Sequence, residues 1–284
     1  MMITESGIEK LRDPYILVEE DIIYLYGSYN TFYRNTSGRI DSGWEKIDIT
    51  VEWPEDFEAD PWAPEVHKYG GAYYMFTTYR SSVTHLRGSV IFRAENPDGP
   101  FLRHTEGQIT PKDWSCIDAT LYIDRENRPW LVFVNEWVNT PDGVGRFAAA
   151  RLSDDLKKLI TEPKELFRAD DFSWTDKQVT DGCFMYRTQN GELLMLWSNF
   201  TPKNYYATAL VRSDNGEIDG KWSHDKLLFS NELSGNYDGG HGMIFKFKGK
   251  LWLSIHSPNN EQGKRKEMPV FIPLKEENGS LVCE

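Results

Sequence analysis

Asp118-Ala-Thr-Leu-Tyr-Ile-Asp-Arg-Glu-Asn-Arg-Pro-Trp-Leu-Val-Phe133 decides the fold. An apolar run, a polar turn and an aromatic-bearing apolar run read as two antiparallel strands joined by a tight connection. The phrase returns four more times. It recurs as Asp13-Pro-Tyr-Ile with Ile22-Ile-Tyr-Leu-Tyr-Gly-Ser28, and as Ala63-Pro-Glu-Val-His-Lys-Tyr-Gly-Gly-Ala-Tyr-Tyr-Met-Phe76. The last two copies are Asp181-Gly-Cys-Phe-Met-Tyr-Arg-Thr-Gln-Asn-Gly-Glu-Leu-Leu-Met-Leu-Trp197 and Gly239-Gly-His-Gly-Met-Ile-Phe-Lys-Phe-Lys-Gly-Lys-Leu-Trp-Leu-Ser254. A hairpin recurring every ~50–60 residues is the mark of a propeller blade. Five copies predict an all-β chain, a five-bladed β-propeller occupying 1–284 as one domain, with blades opening near 13, 63, 118, 181 and 239.

Outer strands are expected at Val90-Ile-Phe-Arg93, Phe147-Ala-Ala-Ala-Arg151 and Tyr206-Ala-Thr-Ala-Leu-Val-Arg212. Turns at Asn96–Phe101, Ser153–Leu156 and Asp219–Trp222 reverse the chain into each blade's last strand. The segment Ile160–Lys177 is expected to connect the third blade to the fourth, and Pro269-Val-Phe-Ile-Pro273 to close the ring by pairing with the other end of the chain. No stretch longer than about ten residues has helical periodicity.

The first residues of innermost strands converge on a propeller's channel. Three openings begin with a carboxylate (Asp13, Asp118, Asp181), the second carries Glu65 two places after Ala63, and the fifth carries His241. Asp is also a good turn former. A shared register favours acids aimed at the axis, because a charge placed for solubility needs no register.

A net charge of −12 opposes binding to nucleic acid or to anionic membranes. The run Lys264-Arg-Lys266 reads as a solvated loop. The three cysteines, Cys116, Cys183 and Cys283, form no CxxC pair, which argues against a disulfide scaffold or a zinc ribbon. No basic-then-apolar leader and no apolar run of membrane-spanning length is present, so a cytoplasmic protein is expected. Aromatic residues make up 14%, which suits sugar stacking as well as blade cores.

Carboxylates borne by different blades around one axis have the makings of a glycosidase. One acid protonates the leaving oxygen and another activates water or attacks carbon, with their pKa values pushed apart by environment. The chain resembles glycoside hydrolase family 43, five-bladed propellers that include α-L-arabinofuranosidases, β-xylosidases and arabinanases. The matching phrases are Arg12-Asp-Pro-Tyr15 with Tyr24-Leu-Tyr-Gly-Ser28, Trp62-Ala-Pro-Glu-Val-His67, Ile117-Asp-Ala-Thr-Leu121, Thr180-Asp-Gly-Cys-Phe184 and Gly239-Gly-His-Gly-Met243.

The resemblance implies Asp13 as the base that activates water and Asp118 as the residue that orients the acid and raises its pKa. The family's acid is the Glu of a Glu-Gly-Pro phrase; here that place reads Asp181-Gly182-Cys183. Asp is shorter by one carbon–carbon bond, roughly 1.5 Å. Three readings stay open: Asp181 is the acid with a compensating backbone, Glu65 supplies the proton, or activity has been lost or changed. The resemblance also implies His241 on the axis beside a structural Ca2+ or Na+, with no organic cofactor. Trp62, Glu65 and His241 are expected to contact the sugar. Trp114, Trp137 and Trp197 could wall the subsites but read more readily as blade core, and His67 and Arg212 are weaker candidates. The implied activity is inverting, exo-acting release of terminal α-L-arabinofuranose or β-D-xylose from plant-polysaccharide-derived oligosaccharides. A glycoside phosphorylase and a non-catalytic carbohydrate-binding propeller are the alternatives.

Overall fold

Five antiparallel sheets are arranged as a propeller, and each contains one of the repeated hairpins. The computed structural model describes every residue except Glu261, Gly263 and Lys264. Blade 1 comprises Tyr15–Glu19, Ile22–Gly27, Thr31–Asn35 and Trp44–Ile47; blade 2 comprises Phe57–Tyr69, Ala72–Ser81, Arg87–Ala94 and Leu102–Arg103. Blade 3 is built from Cys116–Ile123, Pro129–Asn135, Arg146–Arg151 and Lys164–Arg168, and blade 4 from Asp181–Arg187, Leu193–Phe200, Tyr206–Ser213 and Trp222–Phe229. Blade 5 has Gly240–Phe247, Lys250–Ser257 and Met268–Glu277. The last of these strands pairs along one half with Thr4–Glu5 and along the other with Ser280–Cys283. Val270 and Phe271 therefore close the ring against the N-terminal strand, as expected of that segment.

Two expectations need correction. The segment Ile160–Lys177 is not all connection, because Lys164–Arg168 is blade 3's outer strand, paired with Arg146–Ala149. Its Lys, Glu and Arg hide it, since an outermost strand carries charge to blunt its open edge. In the run Lys264–Lys266, Lys264 lies outside the described residues, and Arg265 is not merely solvated: its guanidinium sits 4.0 Å from the Tyr237 ring centre.

Apolar faces of neighbouring blades pack together. Trp197 of blade 4 is fully buried between Phe147, Phe167, Phe172 and Trp174, and Trp114 packs on Phe133 between blades 2 and 3. Both tryptophans are core.

The innermost strands share a distortion that shapes the axis. Pairing slips between Trp62 and Glu65, Ile117 and Thr120, Asp181 and Phe184, and Gly240 and Met243. At each slip one residue takes a left-handed φ: Ala63 at 45°, Asp118 at 55°, Gly182 at 47° and His241 at 52°. Asp13, just ahead of blade 1's first strand, does the same at 54°. For a residue with a Cβ this conformation costs about 1–2 kcal/mol.

Each distorted residue is held by the blade before it. The Asp13 N–H donates to His256 Nδ1 (3.2 Å), Ala63 to Ser28 Oγ (2.8 Å), and Asp118 to Thr78 Oγ1 (3.0 Å). The Gly182 N–H donates to Asp118 Oδ2 (2.9 Å) and the His241 N–H to Ser198 Oγ (2.9 Å). Bulges of this kind re-aim side chains beside active sites. They also correct the proposed register. Asp13 and Asp118 occupy the left-handed position, but in blade 4 Gly182 does, so Asp181 stands one place earlier, equivalent to Arg12, Trp62 and Ile117.

Candidate active site

A cavity of about 440 Å³ has as its lining residues from both of these positions: Arg12, Asp13, Trp62, Ile117, Asp118, Asp181 and His241. Ser28, Tyr29, Arg87, Glu136, Trp137 and Val138 complete the lining. The size falls in the ordinary range for small-molecule sites. The structure brings Asp13, Asp118 and Asp181 to one imidazole: His241 Nδ1 lies 3.3 Å from Asp13 Oδ1, 3.8 Å from Asp118 Oδ2 and 3.5 Å from Asp181 Oδ1.

The glycines around His241 are there for space. A Cβ on Gly240 would collide with the Tyr206 ring, and one on Gly182 would stand 2.9 Å from His241 Cγ.

The charges of the site separate by environment. Burial works to raise the Asp13 carboxyl, yet His241, His256 and Arg12 together hold it well below the usual carboxylate range. Ser28 also donates its hydroxyl to Asp13 Oδ2. Asp13 is thus an ionised acceptor, the state a base requires.

Burial pushes Asp118 well above the usual carboxylate range; His241 opposes the rise and Asp181 beside it adds to it. Asp181 is also desolvated, but bonds with His241, Asp118 and Tyr206 bring it down to about 2. Two buried carboxylates in contact cannot readily both ionise, so the Asp118–Asp181 pair retains one proton that belongs to the pair. Burial opposes charge on His241 as well, but the three aspartates overcome it and push its pKa up to about 10.

Trp62 stands in the cavity wall, with the Arg87 guanidinium 4.4 Å from its ring centre. Arg87 is held by Asp60 Oδ2 (2.8 Å) and by Glu136 (3.1 and 3.2 Å), and Ser115 donates to Glu136 at 2.5 Å. Arg12 donates to Glu267 (2.5 Å) and Asn259 (2.9 Å). Trp137 lines the cavity too.

Glu65 does not line it. That side chain pairs with His67 Nε2 at 2.9 Å and borders a separate void of about 10 Å³ with Tyr15, Asp13 and His241. Arg212 is also elsewhere, bound to Glu192 (3.0 Å) and Asp225 (2.9 Å).

Arg12, Arg87, Glu136 and Tyr206 were not singled out from the sequence. Arg12 carried a signal, since it immediately precedes Asp13. Glu136 follows the second strand of its hairpin, as Ser28 does in blade 1, and so belongs at the same end of the sheet. Asp118, Asp181 and His241 offer one ligand atom each, all within 4.8 Å of one another, and so could hold a metal ion.

A family model described as glycosyl hydrolases family 43 matches residues 8–270. The chain is 23% identical over 252 residues to an extracellular exo-α-(1→5)-L-arabinofuranosidase of Streptomyces chartreusis, covering 82% of this chain and 75% of that protein. Its structure is similar to that of an endo-arabinase from Bacteroides thetaiotaomicron VPI-5482, with 36% identity, a TM-score of 0.84 and coverage of 98% of this chain and 99% of the other. An α-L-arabinofuranosidase from Lactobacillus brevis shares the fold at 19% identity, with a TM-score of 0.78 and coverage of 98% and 95%.

Proposed function

This chain belongs to glycosyl hydrolase family 43 and is a glycosidase; from that premise we propose that it releases terminal α-L-arabinofuranose from plant-derived arabino-oligosaccharides with inversion. Terminal β-D-xylose is the alternative sugar. One observation carries the proposal: Asp13 and the Asp118–Asp181 pair meet on the same ring nitrogen beside one sugar-sized cavity.

In this mechanism Asp13 accepts a proton from water as the water oxygen bonds to the anomeric carbon. The bond to the leaving oxygen breaks, its electron pair goes to that oxygen, and Asp181 gives it a proton. Asp118 shares the pair's proton with Asp181 and keeps it oriented. Glu65 is set aside as the donor because it borders a different void.

Exo action is supported by the wall of Trp62, Arg87 and Glu136, tied together by a cation–π contact and an ion pair along the cavity. A second reading, cleavage within an arabinan chain, is favoured by the likeness to the endo-arabinase. A phosphorylase would need a free cation for phosphate, whereas Arg12 and Arg87 in the cavity are both engaged by carboxylates.

Digestion of linear α-1,5-arabinan, with and without phosphate, is the test. Arabinose as the sole early product supports exo action, a ladder of oligosaccharides supports the endo reading, and a sugar phosphate sinks both. Proton NMR should detect the inverted anomer first. Asp13→Asn should cost about 10²–10⁴-fold in kcat, the usual worth of a general base; undiminished turnover would refute the base assignment.

We also place a structural Ca2+ or Na+ at Asp118, Asp181 and His241 as the alternative to a charged imidazole there, because the ring nitrogen must give up its proton to ligate a metal. Two carboxylate oxygens and one nitrogen fall short of the six to eight oxygens Ca2+ prefers, so water would complete a weak site. The ion would then supply the positive charge beside the carboxylates that protonated His241 supplies without it.

A further inference from the structure

Asp181 is held from behind by a group that no sequence motif announces. Tyr206 begins the third strand of blade 4, is 1% exposed, and donates its hydroxyl to Asp181 Oδ2 at 2.5 Å. Its ring stacks on His256, with centroids 5.5 Å apart and planes 22° from parallel. His256 is itself completely buried and receives the Asp13 N–H. A single stacked pair therefore supports both acidic residues, Asp181 through its carboxylate and Asp13 through its main chain, one on each ring. The Tyr206 ring fits only because residue 240 is glycine.

The hydroxyl also occupies the space beyond the carboxylate. A Glu at 181 would extend about 1.5 Å further, into an oxygen already at hydrogen-bond distance from Asp181. We infer that Tyr206 is a positioning residue for the proton donor, and that its hydroxyl and the short side chain of Asp181 are matched: the Tyr oxygen fills the place of the missing methylene and fixes which carboxylate oxygen faces the substrate. This rests on the glycosidase reading, with Asp181 as the acid. Tyr206 does not line the cavity, so it acts through Asp181 and not on the sugar.

The test uses two substrates that differ in their need for an acid. The 4-nitrophenolate leaving group of 4-nitrophenyl α-L-arabinofuranoside departs with little help, whereas α-1,5-L-arabinobiose requires protonation of a sugar oxygen. Tyr206→Phe keeps the ring, the stack and the fit against Gly240. It should lower kcat on arabinobiose by about 10–100-fold, the scale of an ångström-sized misplacement, with KM little changed and the nitrophenyl rate nearly intact. Equal losses on both substrates, or no loss on arabinobiose, would overturn the positioning role.

Asp181→Glu alone should be impaired on arabinobiose, and adding Tyr206→Phe should recover activity by freeing the space. A double variant no better than Asp181→Glu would overturn the matching. Asp13→Asn, slowed about 10²–10⁴-fold on both substrates, marks the loss expected of the base; if the wild-type protein hydrolyses neither substrate, the exo-acting arabinofuranosidase reading fails and the inference falls with it. If the wild type is active but Tyr206→Phe shows no leaving-group split, the inference alone fails.

Discussion

Substituting Gly182 by Ala probes the ring of left-handed residues at its tightest point. The new Cβ would stand 2.9 Å from His241 Cγ and 3.0 Å from its Cα and Cδ2. The Cα belongs to the main chain of blade 5, anchored by the His241 N–H to Ser198, so it cannot swing away as a flexible side chain would. Relief requires blades 4 and 5 to part locally by roughly 0.5 Å, an overpacking that costs about 1–3 kcal/mol. The φ of 47° adds the left-handed penalty of about 1–2 kcal/mol for an alanine.

A combined loss of about 2–5 kcal/mol corresponds to a fall in Tm of roughly 3–8 °C for a chain of this size. Because His241 Nδ1 touches all three aspartates, its displacement misplaces the acid and the base together. If ~1 Å costs about 100-fold, half of that costs about 10-fold in kcat. The control is Gly143→Ala, where φ is 72° and nothing lies within 4 Å of the added carbon. It should show the left-handed penalty alone, with kcat untouched. Calorimetry and steady-state kinetics on both variants decide the matter. If Gly182→Ala melts like Gly143→Ala and turns over like wild type, crowding against His241 is not what requires glycine there.

Two further outcomes concern the charges. The folded pKa of His241, raised to about 10, lies above its unfolded value of about 6.5, so its contribution to stability is complete below that value and is lost as pH rises through about 10. Asp13, lowered, acts oppositely: its contribution is present above its usual value of about 3.9 and is lost in strong acid. Urea unfolding at pH 7, 8.5 and 10 should show the alkaline loss in wild type and its absence in His241→Gln; a flat wild-type profile would contradict it. For the proposed cation, treatment with EGTA followed by Ca2+ should lower and then restore Tm by a few degrees, as mass action predicts for a weak ligand of the folded state. Identical melts throughout would exclude a Ca2+ site of that kind.

The blades were legible because each hairpin is local. Alternation in Ala72–Thr77 or Lys250–Ile255 forms its own strand wherever the rest of the chain lies. The convergence of Asp13, Asp118 and His241 was legible for the same reason, since each opens such a hairpin. The offset of Asp181 was not. Its register depends on which residue takes the left-handed bulge, and Gly182 claims that place because blade 5 comes too close for any side chain. Arg87, Glu136 and Tyr206 stayed hidden for a further reason. They stand on second-strand ends and third strands, and their partners Trp62, Asp60 and Asp181 lie about 20 or more residues away or in another blade. Glu65 misled because proximity in sequence to an axial residue does not say on which side of His241 a side chain emerges.

The closing seam of the ring sets the order in which the protein can be completed during synthesis. Thr4 and Glu5 are made long before their neighbours Phe271 and Val270, and the Met2 N–H rests on the Glu284 carbonyl. Until those late residues leave the ribosome the sheet they complete has an open border, and four finished blades wait as an unclosed arc. Joining contacts so distant in sequence is entropically slow, so the nascent arc is the species most exposed to pairing with the wrong edge.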